Sequence, residues 1–304
     1  MKDSIKDIFE HNIALIGDMD KAVYYFRGQK YDTALCLLAG AIDQIKLVLE
    51  AIITDRDYFH LVDTESVFQM LSRILEAKKN RDYIMLADLL ELQLISFLTG
   101  VQELIISKEE ISFDEESYQD NIRLLLEKEI DFPEEMKEPF NTDELLGSGY
   151  RVEFTSCGQM TLAAENEGER FYFHTNSRVQ QEAFLLACNW YSESVKKYVL
   201  YGFGMGYHIQ EIQTIAKDAE IEVYEADKNI VQLACAFADV KQLLCNDRIK
   251  LIFDPELKRL SSRIDGLKPE EALIIHYPSY KNIKSCEEKK LLALKMPIFE
   301  EIDH

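Results

Sequence analysis

The sequence predicts an α/β chain in three parts. A helical bundle covers residues 1–110, an acidic linker 111–147, and a unit over 148–304 joins a small antiparallel β subdomain to a short doubly wound parallel sheet of strand order 3-2-1-4. Three observations predict it. Apolar residues recur at steps of three and four through the first third of the chain, as on one helix face. Beyond Gly149 the period changes to the alternation of strands. From Tyr198 onward, apolar strand-like runs alternate with helix-like stretches, the rhythm of a parallel sheet with covering helices.

The bundle is read from two clear stripes, Leu38, Ala41, Ile45, Val48 and Ile52, then Leu86, Leu90, Leu94, Phe97, Val101 and Leu104. Shorter periodic stretches from Ile5 to Phe26 and from Val67 to Leu75 supply two more helices. Breaks fall at Gly28-Gln29-Lys30 and at Lys79-Asn80-Arg81-Asp82, which makes four antiparallel helices with short turns. Such a bundle suits dimerisation or docking, so a homodimer through it is one expected assembly.

From Glu103 to Glu144 the chain carries 15 acidic residues against 4 basic ones, with Pro133 and Pro139 near the end. At most one helix, roughly Glu115 to Lys128, fits there. A solvated connector is the simpler reading and a docking segment for a basic partner the sharper one.

"RVEFTS", "QMTLAAE" and "RFYFHT" then read as three short strands, and "QEAFLLACNWYSESVKK" as a helix. The parallel sheet follows. "YVLYGFG" is its first strand, His208 to Lys217 a helix, "IEVYEAD" the second strand and Ile230 to Leu244 a helix. "RIKLIFD" and "EALIIHYP" are the third and fourth strands, and a terminal helix starts at about Lys284.

Composition bounds the function. The net charge of −21 weighs against nucleic acid and anionic membrane surfaces, both of which are bound through clustered Lys and Arg. No apolar run approaches the roughly 20 residues of a membrane span, and "MKDSIKDIFEHN" is no secretory signal, so a cytoplasmic location is expected. The six cysteines stand singly, without CxxC pairs, and read as reduced core thiols. No His, Asp or Glu spacing defines a metal site.

Chemistry concentrates at the turn after the first parallel strand. Ligands of open parallel sheets sit beyond the carboxyl ends of the strands at the switch point, where Gly202, Gly204 and Gly206 lie. Glycines there permit positive φ and close backbone approach, and the next helix offers free N–H groups to an anion. Nineteen residues after Gly206, Glu225 closes the second strand, where a carboxylate accepts hydrogen bonds from ribose hydroxyls. The alternative is a purely structural bend from strand to helix. The spacing G-x-G-x-G differs from the dinucleotide fingerprint, since Tyr207 takes the place of its third glycine.

The loop resembles motif I of the class I methyltransferases, which implies S-adenosylmethionine as ligand; the acidic residue those enzymes carry two places before the first glycine is Leu200 here. His276 and Tyr277, at the end of the fourth strand, are further contacts at the mouth of the pocket, or residues that merely end the strand. His174 and His208 also fall near element ends. Asn176, Ser177 and Arg178 precede a helix, as phosphate contacts or as its cap.

In order, "TSCGQMTL", "FYFHTNSRVQQEA", "YGFGMGYHIQEI", "IEVYEADKNIVQLA" and "IIHYPS" resemble the amino-terminal domain of the motility accessory factor family, in the DUF115 or MptE-like group, over roughly residues 148–283. Its most specific piece is "GFGMGYH", with Tyr207 and His208 directly after the glycines. The resemblance implies a part in glycosylation of flagellin or another surface protein from a nucleotide-activated sugar. It implies nucleotide-sugar contacts at the glycine loop and a transferase domain supplied by a partner, because the chain ends at His304 without the family's Gly-Pro-Ser-Leu segment. Two other readings stand beside it, an S-adenosylmethionine-dependent methyltransferase-like protein and a non-enzymatic dimeric scaffold.

Overall fold

The computed structural model describes residues 3–109, 115–128, 132–133, 136, 141, 149–166 and 168–283. The chain forms two compact units, Met1–Ser112 with Phe154–Gln159, and Phe113–Glu153 with Met160–His304.

In the first unit, α1 (Asp3–Arg27) ends where Gly28 and the positive φ of Gln29 turn the chain. The stripe predicted as one helix from Leu38 to Ile52 is two, α2 (Tyr31–Gly40) and α3 (Ile42–Thr54), parted at Ala41. Helix α4 (Thr64–Asn80) starts on Asp63, whose carboxylate accepts the amides of Glu65 and Ser66, and stops on Arg81 in the left-handed region. A cap of this kind stabilises a helix by about 1 kcal/mol.

The last helical run of the unit is α5 (Tyr83–Leu89), a π turn (Leu90–Leu94) and α6 (Ile95–Lys108). The π turn inserts an extra residue into the helical period and advances the buried face by one position. Val101 is buried as expected, while Leu98 and Ile105 are buried in place of the expected Phe97 and Leu104, and Gln102 is buried beside them. This run is also a correction to the hydropathy reading. Among the described residues, Tyr83–Lys108 is the one helix long and apolar enough, by length and composition, to cross a membrane. In this fold its apolar stripe lies against α1.

The second unit begins with α7 (Glu115–Lys128), where the sequence reading placed a solvated connector. The helix is docked. Tyr118, Ile122 and Leu125 are buried, Asn121 donates to the carbonyl of Cys235 at 2.9 Å, and Lys128 donates to the carbonyls of Leu244 and Asn246. Its few apolar residues share one stripe, so its acidic residues take the opposite side. Pro139 and the expected terminal helix from Lys284 lie outside the described residues.

Strands β1 (Tyr150–Phe154), β2 (Met160–Asn166) and β3 (Glu169–Tyr172) form the antiparallel sheet in that order. The turn 154–159 between β1 and β2 belongs to the first unit, where Gln102 donates to the carbonyls of Phe9 and Cys157. Helix α8 (Val179–Trp190) is shorter at its carboxyl end than predicted, since Tyr191 is already extended.

The parallel sheet has the predicted 3-2-1-4 order. β6 (Ile249–Phe253), β5 (Glu220–Glu225), β4 (Lys197–Tyr201) and β7 (Glu271–Ile275) lie side by side. In register, Val199 of β4 lies opposite Glu222 and Leu273. From Tyr198 to Tyr201 every β4 side chain is buried, which is what a central parallel strand covered on both faces requires. Helix α9 (Tyr207–Ile215) follows β4, and the helix predicted over Ile230 to Leu244 divides into α10 (Lys228–Phe237) and α11 (Lys241–Leu244). Helix α12 (Lys258–Asp265), between β6 and β7, was not foreseen, and α13 (Tyr277–Lys281) follows β7 at once. Leu257 and Leu260 pack beneath the sheet with Val199, Tyr201, Tyr224 and Ile252. Burial of each such side chain contributes about 1.5–3 kcal/mol.

Two of the five described cysteines, Cys36 and Cys245, are exposed and not in a core.

Candidate functional site

The turn from Gly202 to Gly206 joins β4 to α9 at the carboxyl end of the sheet. All three glycines have positive φ, +102° at Gly202, +51° at Gly204 and +81° at Gly206. Every residue of the turn is buried.

What approaches these glycines closely is protein. A Cβ on Gly204 would stand 2.7 Å from Nε2 of His174, and one on Gly206 would stand 2.8 Å from Leu243 Cδ1. One on Gly202 would clash with Ser279 and press on His276. Four of the five amides of the turn are committed in the same way. Gly202 donates to the Tyr224 carbonyl at 2.8 Å, Phe203 to Glu225 Oε2 at 2.8 Å, Met205 to His174 Nε2 at 3.2 Å and Gly206 to the Phe203 carbonyl at 2.9 Å.

Glu225 ends β5, as expected, and is 1% exposed. Its second oxygen accepts the amides of Ala226 and Asp227 at 2.9 and 3.0 Å. Burial pushes its carboxyl up to about 7, against the pull of the three N–H donors.

Beneath the turn the fold assembles three histidines that lie 34 and 68 residues apart in the chain. His174 follows β3, His208 lies in the first turn of α9, and His276 ends β7. All are buried. The rings of His208 and His276 lie parallel within 7° at 4.3 Å between centroids, and His174 stands 5.0 Å from His276 and 5.3 Å from His208. Trp190 meets His208 edge-on at 5.9 Å.

Hydrogen bonds fix the tautomers of the neutral rings. His208 donates from Nε2 to the Gly202 carbonyl at 3.0 Å, which leaves Nδ1 as a buried lone pair with no hydrogen-bond partner. His174 accepts from Met205 at Nε2, so its proton sits on Nδ1, 3.6 Å from Glu182 Oε2. Nδ1 of His276 lies 2.7 Å from the hydroxyl of Ser279, and its ring is also hydrogen-bonded to the Phe173 backbone. Burial depresses His208 to about 3 and His276 well below 6.5, with repulsion from the neighbouring rings adding to both.

The remaining predicted residues divide between the cluster and the surface. Tyr207 is buried and donates to the Met160 carbonyl at 2.8 Å, with its ring edge-on to His174. Tyr277 is exposed. Asn176 and Ser177 are exposed and do not cap α8, whose N-cap position is Arg178 without a side-chain cap bond; Glu182 instead reaches back to the amide of Thr175 at 2.9 Å. Thr175, Ser177 and Arg178 line a cavity of about 430 Å³ with Gln181, Glu182 and Asn189. The glycine turn, Tyr207, His208, Glu225 and His276 therefore come together, with His174 and Ser279 added by the fold.

No protein-family model matches the chain, and no curated protein matches it. Among solved structures it is similar to MNMC2 from Aquifex aeolicus, at 17% identity and a TM-score of 0.24, over 57% of this chain and 59% of that one. The chain thus spans about three fifths of that protein's length.

Proposed function

We propose that this chain is an accessory protein without transferase chemistry at its glycine turn, working beside a transferase in the glycosylation of flagellin or another surface protein. Two observations carry the first half. Four amides of the turn, those of Gly202, Phe203, Met205 and Gly206, already donate to protein acceptors, and the close approach at the three glycines is taken by Ser279, His174 and Leu243. The second half rests on the ordered segments shared with the motility accessory factor family over roughly residues 148–283.

Calorimetric titration with CMP- and UDP-sugars tests the first half, and silence across the panel is expected. Heat release that Gly204→Val abolishes would overturn it. A deletion strain that glycosylates its surface protein normally would overturn the second half.

A second reading is favoured by the sheet order, which sets the turn after β4 and Glu225 at neighbouring strand ends. In that reading the turn opens to bind S-adenosylmethionine. S-Adenosylhomocysteine at a hundredfold excess over its Kd would then stabilise the fold by about 2.7 kcal/mol. A flat thermal shift removes this reading.

A further inference from the structure

We propose that His174, His208 and His276 form a binding site for one divalent transition-metal ion of the kind imidazole favours, with Zn²⁺ the first candidate. The site is independent of the glycosylation role, which stands or falls on other measurements.

Three imidazoles from three separate segments converge here, each able to offer a ligand nitrogen, and those atoms lie within 4.8 Å of one another. Three imidazoles around one tetrahedral ion hold their ring centroids roughly 5 Å apart, given Zn–N bonds of about 2.0–2.1 Å. The centroids here are 4.3, 5.0 and 5.3 Å apart.

The outer partners match at two of the three rings. A metal-bound histidine characteristically donates its other ring N–H to a backbone carbonyl or a carboxylate, which fixes its tautomer. His208 donates to the Gly202 carbonyl, whereas Nδ1 of His174 makes no hydrogen bond and has Glu182 at 3.6 Å, within reach of a small rotation. His276 is held by the Phe173 backbone. The bare Nδ1 of His208 decides the matter. A buried acceptor with no donor costs about 1–3 kcal/mol, and metal ligation satisfies it.

Ligation needs the side chains to rotate. The nitrogens close to the about 3.3 Å spacing of a tetrahedral site, the parallel pair His208 and His276 tilts, and Met205 and Ser279 give up their hydrogen bonds to His174 and His276. With three protein ligands the fourth position stays open, as it does in catalytic zinc sites.

The test is uptake by the full chain after chelator treatment. One equivalent of Zn²⁺ or Co²⁺ is expected, with visible Co²⁺ bands of a four-coordinate site and a chelator-reversible rise in Tm. His208→Gln and His276→Gln should each weaken binding by at least about 100-fold, while the exposed His60→Ala leaves it unchanged. Should either cluster variant fail to fold, X-ray absorption on the wild-type complex reads the ligands directly, and imidazole scattering at about 2.0–2.1 Å is expected. No uptake by the wild type, affinity unchanged in both variants, or a shell without imidazole overturns the proposal.

Discussion

Glu225 accepts the amide of Phe203 at 2.8 Å, so the carboxylate at the end of β5 pins the turn that follows β4. Its other oxygen takes Ala226 and Asp227, and both oxygens are buried in structural bonds. Glu225→Gln replaces one acceptor with an NH₂ group facing N–H donors. A loss of about 1–3 kcal/mol is expected by urea unfolding, the cost of leaving a buried polar group unsatisfied. If Glu225 serves only a ribose, the variant keeps wild-type stability and loses ligand binding alone.

Gly202, Gly204 and Gly168 all have positive φ, but only the first two are crowded. Nothing lies within 4 Å of a Cβ built on Gly168. Gly168→Ala should therefore cost only the left-handed backbone penalty, about 1–2 kcal/mol. Gly202→Ala and Gly204→Ala add a clash against Ser279 and His174, and their unfolding midpoints should fall clearly below that of Gly168→Ala. Equal losses at the three positions would show that conformation alone, and not close approach, selects glycine in the turn.

The layers of this fold were legible because each has its own period. The β4 run from Tyr198 to Tyr201 and the Gly202–Gly206 break located the central strand and its turn. The acid at Glu225 was placed correctly at the next strand end, but a sequence cannot show that backbone amides saturate it. The π turn at Leu90–Leu94, which moves the buried face of its helix, was not legible because one inserted residue leaves composition and spacing almost unchanged. The histidine cluster was invisible for a different reason. Its members are singletons far apart in the chain, and only the meeting of three segment ends at one edge of the sheet joins them.

Arg263 of α12 ties two strands together. Its Nε donates to Glu222 of β5 at 2.8 Å, and its two terminal nitrogens grip Glu271 of β7 at 3.0 and 2.7 Å. The planar fork makes this possible, and a lysine ammonium cannot reproduce it. Arg263→Lys should lose about 1 kcal/mol, more at low salt than at high salt because the group is partly solvated. Equal stability at both salt concentrations would mean that the triad contributes nothing measurable.

Acid should destabilise the metal-free protein through the same cluster. His208 and His276 titrate near 6.5 when unfolded, but at about 3 and well below 6.5 when folded, because burial disfavours the imidazolium. Below about pH 6.5 the unfolded chain binds protons that the folded chain refuses. Their contribution is therefore complete above pH 6.5 and is lost as pH falls, at up to about 1.4 kcal/mol per pH unit for each ring. Glu225 works in the opposite sense. With its folded pKa raised from 4.5 to about 7, its contribution is complete below pH 4.5 and is lost as pH rises through 7. Between pH 6.5 and 4.5 one carboxyl thus offsets one of two rings, and acid still destabilises. Glu225→Gln should steepen the fall and His208→Gln should flatten it, read as the slope of unfolding free energy against pH in chelator. A slope that neither exchange alters would mean that these groups do not set the acid limit of the fold.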